Sequence, residues 1–233
     1  MILAMIPGDA RQEALARLLR EDGHETISYR PGLAPDWYVF PMPTGVHPLL
    51  GTLASGSRVL AGAVQGQWPQ LRLRDYYADE AVQVSNAVIT AEGAVGEAIR
   101  VSDRTLWGSR ALVLGYGRVG RALASRLRAL GAEVTVYARS PGSRAWARGE
   151  GCRVQETPEA AGFHFLFNTV PEPLLEEAPA GAVCLELASK PGGFRSRKGV
   201  LPLPGLPGKT APETAAAVLK ASIDRIFKEE SMP

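Results

Sequence analysis

Short apolar runs alternate with amphipathic helical patterns along the chain, an order typical of α/β folds. "MILAMIP" predicts a first strand, and "GDARQEALARLLREDGHE" predicts a loop that runs into an amphipathic helix. Further strands are predicted at "DWYVFPMP", "RVLAGAV" and "LRLRDYY". Residues 1–84 are therefore expected to form a small α/β domain of their own.

A long helical stretch follows, "ADEAVQVSNAVITAEGAVGEAIRVS", in which Gly93 is a candidate kink. We expect its part at 85–106 to connect two domains. A nucleotide-type domain is predicted at 107–208, with late strands at "FHFLFNTV", "AVCLELA" and "GVLPLPG". Within 209–233, "PETAAAVLKASIDRIFKEE" predicts a helix that returns to the first domain. The predicted fold class is α/β, a Rossmann-type doubly wound parallel sheet with a second, smaller N-terminal α/β domain.

The most informative motif is "ALVLGYGRVGRALASRLRALGAEVTVY", which reads strand, glycine turn, helix, glycine and strand. Gly115, Gly117 and Gly120 have G-x-G-x-x-G spacing, and they allow a tight turn, close approach of backbone to a pyrophosphate, and close helix–strand packing. The helix N-terminus adds free N–H groups and partial positive charge. The motif predicts dinucleotide contacts at Gly115, Tyr116, Gly117, Arg118, Val119 and Gly120.

The second strand of this motif lacks the terminal Asp or Glu that would bind the ribose 2′-hydroxyl of NAD. Its place is taken by Ala138, which is followed by Arg139, Ser140, Ser143 and Arg144. A guanidinium forms bidentate, charge-assisted bonds with phosphate, and small hydroxyls add donors. The sequence therefore predicts NADP as the cofactor, with a solvated basic loop as the open alternative.

Composition and charge narrow the functional classes. The chain has 233 residues, 45% hydrophobic and 21% charged, as is ordinary for a globular protein. A net charge of +2 gives no reason to expect nucleic acid or membrane as a partner. Cys152 and Cys184 have neither metal-site nor disulfide-framework spacing, so no metal is expected, and both are predicted to be reduced thiols of a cytoplasmic protein.

Several loops with unusual composition follow predicted strands, where open α/β sheets bind their ligands. Candidate substrate contacts in the first domain are Asp9, Arg11, Gln12, Thr44 and Gly45. Candidate cofactor contacts of the second domain are Asn168, Thr169, Val170, Pro171 and Ser189. The glycine-rich "PGLPGKTAP" loop supplies Gly205, Leu206, Pro207 and Gly208 as further substrate contacts. For each loop a turn made for backbone reasons stays an alternative, as does a helix cap for Asp9.

Taken together, these segments resemble a known family. "GDARQ", "TAEGAVGEAI", "GYGRVGRALASRLRALGAEVTVYARS", "LELASKPGG" and "PGLPGKTAPETAA" look like the A subunit of dipicolinate synthase. The resemblance implies a two-domain dehydrogenase that oxidises a dihydrodipicolinate-type precursor with NADP, in the mother cell of a spore-forming bacterium. It also implies a smaller flavoprotein-like B subunit as partner, and self-association stays open. The region between Thr52 and Asp79 is shorter than is usual in this family, which bears on the substrate contacts and on pairing with the B subunit.

Aromatising a dihydropyridine ring requires transfer of a hydride and loss of one proton, for which a modest base suffices. Glu92, with Thr90 beside it, is the catalytic candidate on the long helix, and an exposed helical acid is the alternative. Two substrate carboxylates need cationic or N–H partners, which Arg11, the Thr44–Gly45 loop and Lys190 or Lys209 can supply. We expect the active cleft between the two domains.

Two other functions remain open. A 2-hydroxyacid dehydrogenase would share this domain layout, but its chemistry needs an acid–base histidine after the late strands. The histidines are His24, His47 and His164, and none has that position. The other alternative is a regulatory subunit that binds NADP without turnover.

Overall fold

The computed structural model describes residues 1–232 and contains two compact units. The first unit combines residues 1–86 with the C-terminal segment that starts at Pro207. The second unit comprises residues 87–206. Each unit is built on its own parallel sheet with its own core.

The first unit contains a five-stranded parallel sheet. Its elements are β1 (Ile2–Met5), α1 (Ala10–Glu21), β2 (Glu25–Ser28), β3 (Trp37–Val39), a short 3-10 helix (Pro48–Gly51), β4 (Arg58–Ala61) and β5 (Arg72–Asp75). The strand order is β2-β1-β3-β4-β5, with all pairs parallel. The order reverses between β1 and β3, so the loops after these two strands flank the crevice where such sheets bind ligands.

The first unit buries its apolar side chains on both faces of this sheet. The C-terminal helix α6 (Pro212–Ser231) packs against α1, and Ile223 of α6 joins Leu15, Leu19 and Trp37 in one core cluster. A second cluster on the other face includes Phe40 and Leu50. The loops at the carboxyl ends of β1 and β3 therefore extend from strands that are packed on both faces.

The second unit contains a six-stranded parallel sheet. After α2 (Glu80–Val101), which starts in the first unit, its elements are β6 (Arg110–Leu114), α3 (Arg118–Ala129), β7 (Glu133–Tyr137), α4 (Pro141–Gly149), β8 (Arg153–Gln155), β9 (Phe165–Asn168), β10 (Val183–Glu186) and β11 (Val200–Pro202), followed by the short helix α5 (Leu206–Thr210). The order β11-β10-β9-β6-β7-β8 is that of a doubly wound dinucleotide fold. The predicted fold class is confirmed.

Both cysteines lie in the core of the second unit and are free thiols. Burial raises the pKa of Cys184 to about 11, and it also raises the pKa of Cys152. Since the thiolate is the reactive form, burial disfavours reaction of both thiols at neutral pH.

The sequence patterns missed four elements, namely β2, β8, α4 and the 3-10 helix at Pro48–Gly51, and misjudged two other helices. β2 and β8 were not predicted because both are short and their side chains alternate poorly. No helix was predicted at 141–149, although Ser140 caps α4 and Pro141 occupies its first turn. α2 begins at Glu80 and runs through Gly93 without a break, and residues 206–210 form α5 rather than an open loop.

Among residues 1–232, none of the helices combines the length and the apolar character needed to cross a bilayer.

Candidate functional site

The glycine turn between β6 and α3 is tightly packed on one side and open on the other. Gly115 has φ +98°, and a Cβ there would lie 2.5 Å from the hydroxyl oxygen of Thr169. A Cβ on Gly120 would overlap the carbonyl oxygen of Gly115. At Gly117 a Cβ would meet no atom within 4 Å. Two glycines thus permit the turn itself, and the third leaves space above it.

The N-terminus of α3 is open to a ligand. Gly117 is its N-cap residue and has no side chain that could cap the helix end. By contrast, Asp9 caps α1 and Ser140 caps α4 through hydrogen bonds to backbone N–H groups. The first-turn N–H groups of α3 and its helix dipole therefore suit a phosphate, so the residues present fit a dinucleotide pyrophosphate.

The side chain of Tyr116 belongs to the packing of α3 against α4 rather than to the turn. Its hydroxyl donates to Glu150 Oε2 at 2.6 Å, and Arg121 lies over its ring. Burial and this hydrogen bond raise the pKa of Tyr116, and the same bond, together with Arg121, lowers the pKa of Glu150. The predicted cofactor contact at this position is therefore available only through the backbone.

The loop after β7 is held in shape by its own side chains. Arg144 donates through Nη1 to the carbonyl oxygens of Ala138 at 3.0 Å and Arg139 at 2.7 Å, and pairs with Glu156. Ser140 and Ser143 bond to each other in the α4 cap. These three predicted phosphate partners thus have structural contacts already.

Arg139 has a different environment from its neighbours in this loop. It is 69% exposed, and its Nη1 lies 2.7 Å from Oε2 of Glu172 in the loop after β9. Arg139 therefore projects from this loop into solvent, where its side chain pairs with an exposed acid.

Asn168 was predicted to face the cofactor, but in the structure its side chain is fully buried. Its Nδ2 donates to Glu186 Oε1 at 2.6 Å and to the Val170 carbonyl oxygen at 2.8 Å. Glu186 also accepts from the backbone N–H groups of Ala188 and Gly193, and Arg197 Nη1 lies 3.5 Å from its Oε2. Asn168 therefore ties the loop after β9 to the loop after β10.

Thr169 and Val170 line the glycine turn from the β9 side. The Thr169 hydroxyl donates to the carbonyl oxygen of Leu114 at 2.8 Å, and both side chains lie against Gly115. A ribose or nicotinamide group that contacts the Thr169 hydroxyl, as predicted, would therefore compete with Leu114 for its proton. Pro171 is exposed next to Glu172.

A cavity of about 360 Å³ opens at the carboxyl ends of β10 and β11. Its charged and hydroxyl groups come from Glu186, Ser189, Lys190 and Arg197, and prolines and aliphatic side chains form the rest of its wall. Ser189 and Lys190 are exposed. This cavity lies over the second mononucleotide half of the sheet, formed by β9, β10 and β11.

In the first unit, Arg11 is 4% exposed and lies at the β1–β3 crevice. Its Nε and Nη2 donate to the Asp9 carboxylate at 3.1 and 2.7 Å, and Nη2 also donates to the carbonyl oxygen of Met42 at 2.5 Å. These contacts hold the guanidinium plane in one orientation, and among the described residues Nη1 has no hydrogen-bond acceptor. Asp9 caps α1, as its alternative interpretation required, and also orients Arg11.

The other candidates of the first unit surround this pair. Gln12 is buried and donates to the Val39 carbonyl oxygen at 2.9 Å. Thr44 is buried between the Pro41 carbonyl oxygen and the Gly62 N–H, while Gly45 beside it has φ +57°. Gly208 approaches so closely that its Cβ would overlap Asp9 and lie 2.9 Å from Arg11 Nε. The "GDARQ" and "PGLPGK" motifs therefore meet in one place.

The remaining predicted residues lie elsewhere. Glu92 is 63% exposed and pairs with Arg126 of α3 at 2.9 Å, an arrangement that favours the alternative of an exposed helical acid. Thr90 is half-buried on the same helix. Arg118 and Val119 open α3, Gly205 has φ +68°, and Leu206 and Pro207 are buried at the start of α5.

Sequence reasoning missed two acids at the carboxyl ends of the strands in the second unit, namely Glu172 and Glu186. Glu186 had a signal in the sequence, because an acid inside the apolar run "AVCLELA" needs buried partners. Glu172 had no such signal in the sequence, because an acid in a loop is ordinary. Its position beside Arg139 depends on how β7 and β9 are arranged in the sheet.

Comparison with known proteins supports an oxidoreductase. Residues 64–172 match the family model described as D-isomer specific 2-hydroxyacid dehydrogenase, NAD binding domain. The dipicolinate synthase A subunit from Bacillus subtilis (strain 168) is 33% identical over 163 residues, which is 64% of this chain and 55% of that protein. The match thus spans about half the length of that relative.

Solved structures show the same arrangement of elements. The crystal structure of the dipicolinate synthase A subunit from Bacillus halodurans is 25% identical, with a TM-score of 0.82 over 100% of this chain and 98% of that one. A transhydrogenase from Sinorhizobium meliloti is 15% identical, with a TM-score of 0.72 over 98% and 93%, a likeness of fold alone. The resemblance to the A subunit of dipicolinate synthase is confirmed, and these similarities support an oxidoreductase that uses a nicotinamide dinucleotide.

Proposed function

We propose that this chain oxidises a dihydrodipicolinate-type precursor to pyridine-2,6-dicarboxylate, with NADP as the hydride acceptor. The observation that carries the proposal is the open glycine turn before α3 in a chain similar to the dipicolinate synthase A subunit. A role in spore formation in the mother cell, and a smaller flavoprotein-like B subunit as partner, belong to the same proposal.

The proposed reaction removes a hydride and a proton from the dihydropyridine ring. NADP supplies the hydride acceptor, so the products are the aromatic dicarboxylate, NADPH and one proton. Because aromatisation favours the products, the protein needs to orient the ring more than it needs a strong base. Water or an exposed carboxylate such as Glu92 could accept the proton.

For the substrate, we propose that Arg11 binds one carboxylate through Nη1. Its plane is fixed by Asp9 and the Met42 carbonyl oxygen, so a ligand carboxylate would meet a guanidinium that has already lost its rotational freedom. Asp9 neutralises part of the positive charge of Arg11. A ligand therefore needs further polar contacts besides Arg11 to bind tightly. Lys209, exposed on α5 in the same unit, is a candidate for the second carboxylate.

For the cofactor, we propose NADP over NAD because of Arg139. An exposed guanidinium at the end of the second strand of the glycine motif suits a 2′-phosphate. Position 138, where NAD-binding proteins have an acid, is alanine. Arg144 supports this role indirectly, since it holds the Arg139 carbonyl oxygen.

Arg139→Ala tests the choice of cofactor. In the wild type we expect NADPH to bind at least tenfold more tightly than NADH, a difference of about 1.4 kcal/mol. The variant should lose most of this preference with little change for NADH, because the guanidinium meets only the 2′-phosphate. Fluorescence titration with both dinucleotides measures it. Equal affinities in the wild type, or a preference for NADH, would show that the assignment is wrong.

Turnover is tested with the purified chain, a dihydrodipicolinate-type precursor and NADP. We expect an increase in NADPH absorbance at 340 nm that requires both reactants. If the chain binds NADPH but turns over only after a B subunit is added, the proposed partner is essential. Binding without turnover under either condition would instead indicate a regulatory subunit.

A 2-hydroxyacid dehydrogenase activity is disfavoured by the positions of the histidines. Among the described residues of the second unit, the single histidine is His164, whose Nδ1 accepts from the Arg110 N–H at the amino end of β9. The cofactor loops lie at the opposite, carboxyl end of the sheet. An acid–base histidine for hydroxyacid oxidation is therefore missing from that edge.

A further inference from the structure

β7 has no carboxylate at its end, but the carboxylate of Glu172 from another loop lies beside Arg139. Glu172 follows β9 by four residues, and its Oε2 lies 2.7 Å from Nη1 of Arg139. β7 and β9 flank β6 on either side, so the two side chains approach each other from both sides of the strand that leads into the glycine turn.

We infer that Glu172 sets the cofactor preference by competing with the 2′-phosphate of NADP for Arg139. The inference deepens the proposed function and rests on its assignment of Arg139 to that phosphate. Glu172 makes the chain less selective for NADP than Arg139 alone would make it.

The charges and exposure of this pair determine the direction of the effect. Glu172 is 51% exposed and Arg139 is 69% exposed, so the pair is screened by solvent and contributes little to stability. A doubly charged phosphate can therefore displace the carboxylate from the guanidinium. The phosphate has to break this ion pair first, and its loss offsets part of the new contact with Arg139, so affinity for NADP falls while NAD binding does not involve the pair.

The test uses Glu172→Gln, which removes the charge and keeps the size of the side chain. We expect NADPH to bind about three- to fivefold more tightly than to the wild type at low salt, with NADH affinity unchanged or slightly weaker. Adenosine 2′,5′-bisphosphate should gain like NADPH, while AMP should not. The gain should shrink as NaCl is raised, because salt screens the exposed Arg139–Glu172 pair with which the phosphate competes.

Glu176→Gln is the matched control. Glu176 is an exposed acid of the same unit, and it pairs with Arg195 at 2.8 Å. The substitution removes the same charge from another ion pair, so NADPH affinity should stay at the wild-type value. An equal gain in both variants would mean that net charge alone is responsible, and the inference would be overturned.

The double variant Glu172→Gln with Arg139→Ala separates this inference from the cofactor proposal. We expect the gain of Glu172→Gln to vanish when Arg139 is absent, which shows that the two side chains act together. If Arg139→Ala weakens NADPH binding while Glu172→Gln changes nothing, only the inference fails. If Arg139→Ala leaves NADPH binding unchanged, the NADP proposal fails, and the competition for Arg139 fails with it.

Discussion

Replacing Gly120 by alanine is expected to weaken dinucleotide binding by at least about 100-fold. The new Cβ would overlap the carbonyl oxygen of Gly115 and lie 3.4 Å from the Thr169 hydroxyl oxygen. Backbone on both sides of the contact cannot move aside as a flexible side chain could. The turn would have to open, and with it the distance between β6 and the N-terminus of α3 would change.

Gly117→Ala provides a version of this test that spares the fold. No protein atom lies within 4 Å of the added Cβ, so the unliganded protein should be as stable as the wild type. The methyl group would instead occupy the space that backbone leaves for the pyrophosphate, and NADPH binding should fall at least about tenfold.

Gly142→Ala is the control for both variants. It lies in the first turn of α4, where a Cβ also meets nothing within 4 Å, and we expect NADPH affinity close to that of the wild type. Fluorescence titration gives the affinities, and thermal unfolding without ligand reports any damage to the fold. If Gly117→Ala and Gly120→Ala both bound NADPH as the wild type does, the dinucleotide would not occupy this turn.

Replacing Arg11 by alanine is expected to lower kcat/KM for the dicarboxylate substrate at least about tenfold, which corresponds to about 1.4 kcal/mol. The proposed carboxylate would lose its charge-assisted partner. NADPH affinity should stay nearly unchanged, because Arg11 belongs to the first unit and the dinucleotide turn to the second. Steady-state kinetics and titration on the same samples measure both.

Arg11→Ala should also cost stability, since Asp9 and the Met42 carbonyl oxygen lose their partner. Asp9 is 42% exposed and can be hydrated, so the cost should be about 1–2 kcal/mol in urea unfolding. Arg11→Lys keeps the charge but not the planar fork, and we expect it to recover part of the stability and little of the kcat/KM.

Arg17→Ala is the control on the same helix. Arg17 is 48% exposed and pairs with Glu213 of α6, so its loss should leave the kinetics unchanged. Unchanged kinetics in Arg11→Ala would sink the proposed substrate role, whatever its effect on stability.

The fold was largely readable from the sequence, because parallel strands buried on both faces leave continuous apolar runs. "RALVL" and "FHFLFN" are such runs, and both form strands in the second sheet. β2 was not readable, since "ETIS" is half polar and its strand character comes from pairing with β1 along the sheet edge. Short edge strands depend on their neighbour more than on their own propensity.

The candidate site divides in the same way. The glycine positions were predictable because backbone geometry limits which residue can stand there, and Gly115 and Gly120 lie against atoms that exclude a Cβ. The orientation of polar side chains was not predictable. Asn168 and Tyr116 follow strands as ligand-binding residues do, yet Glu186 and Glu150 hold them as hydrogen-bond partners.

By itself, the sequence determined the two α/β units' character, the dinucleotide turn and the resemblance to the A subunit of dipicolinate synthase, because these depend on local patterns of burial, glycine and helix capping. Only the tertiary structure decided the strand order and the partners of each charge. It brought Asp9, Arg11 and Gly208 together from opposite ends of the chain, and it placed Glu172 against Arg139. Side-chain contacts between distant segments depend on which strands become neighbours, and no local pattern in the chain specifies that.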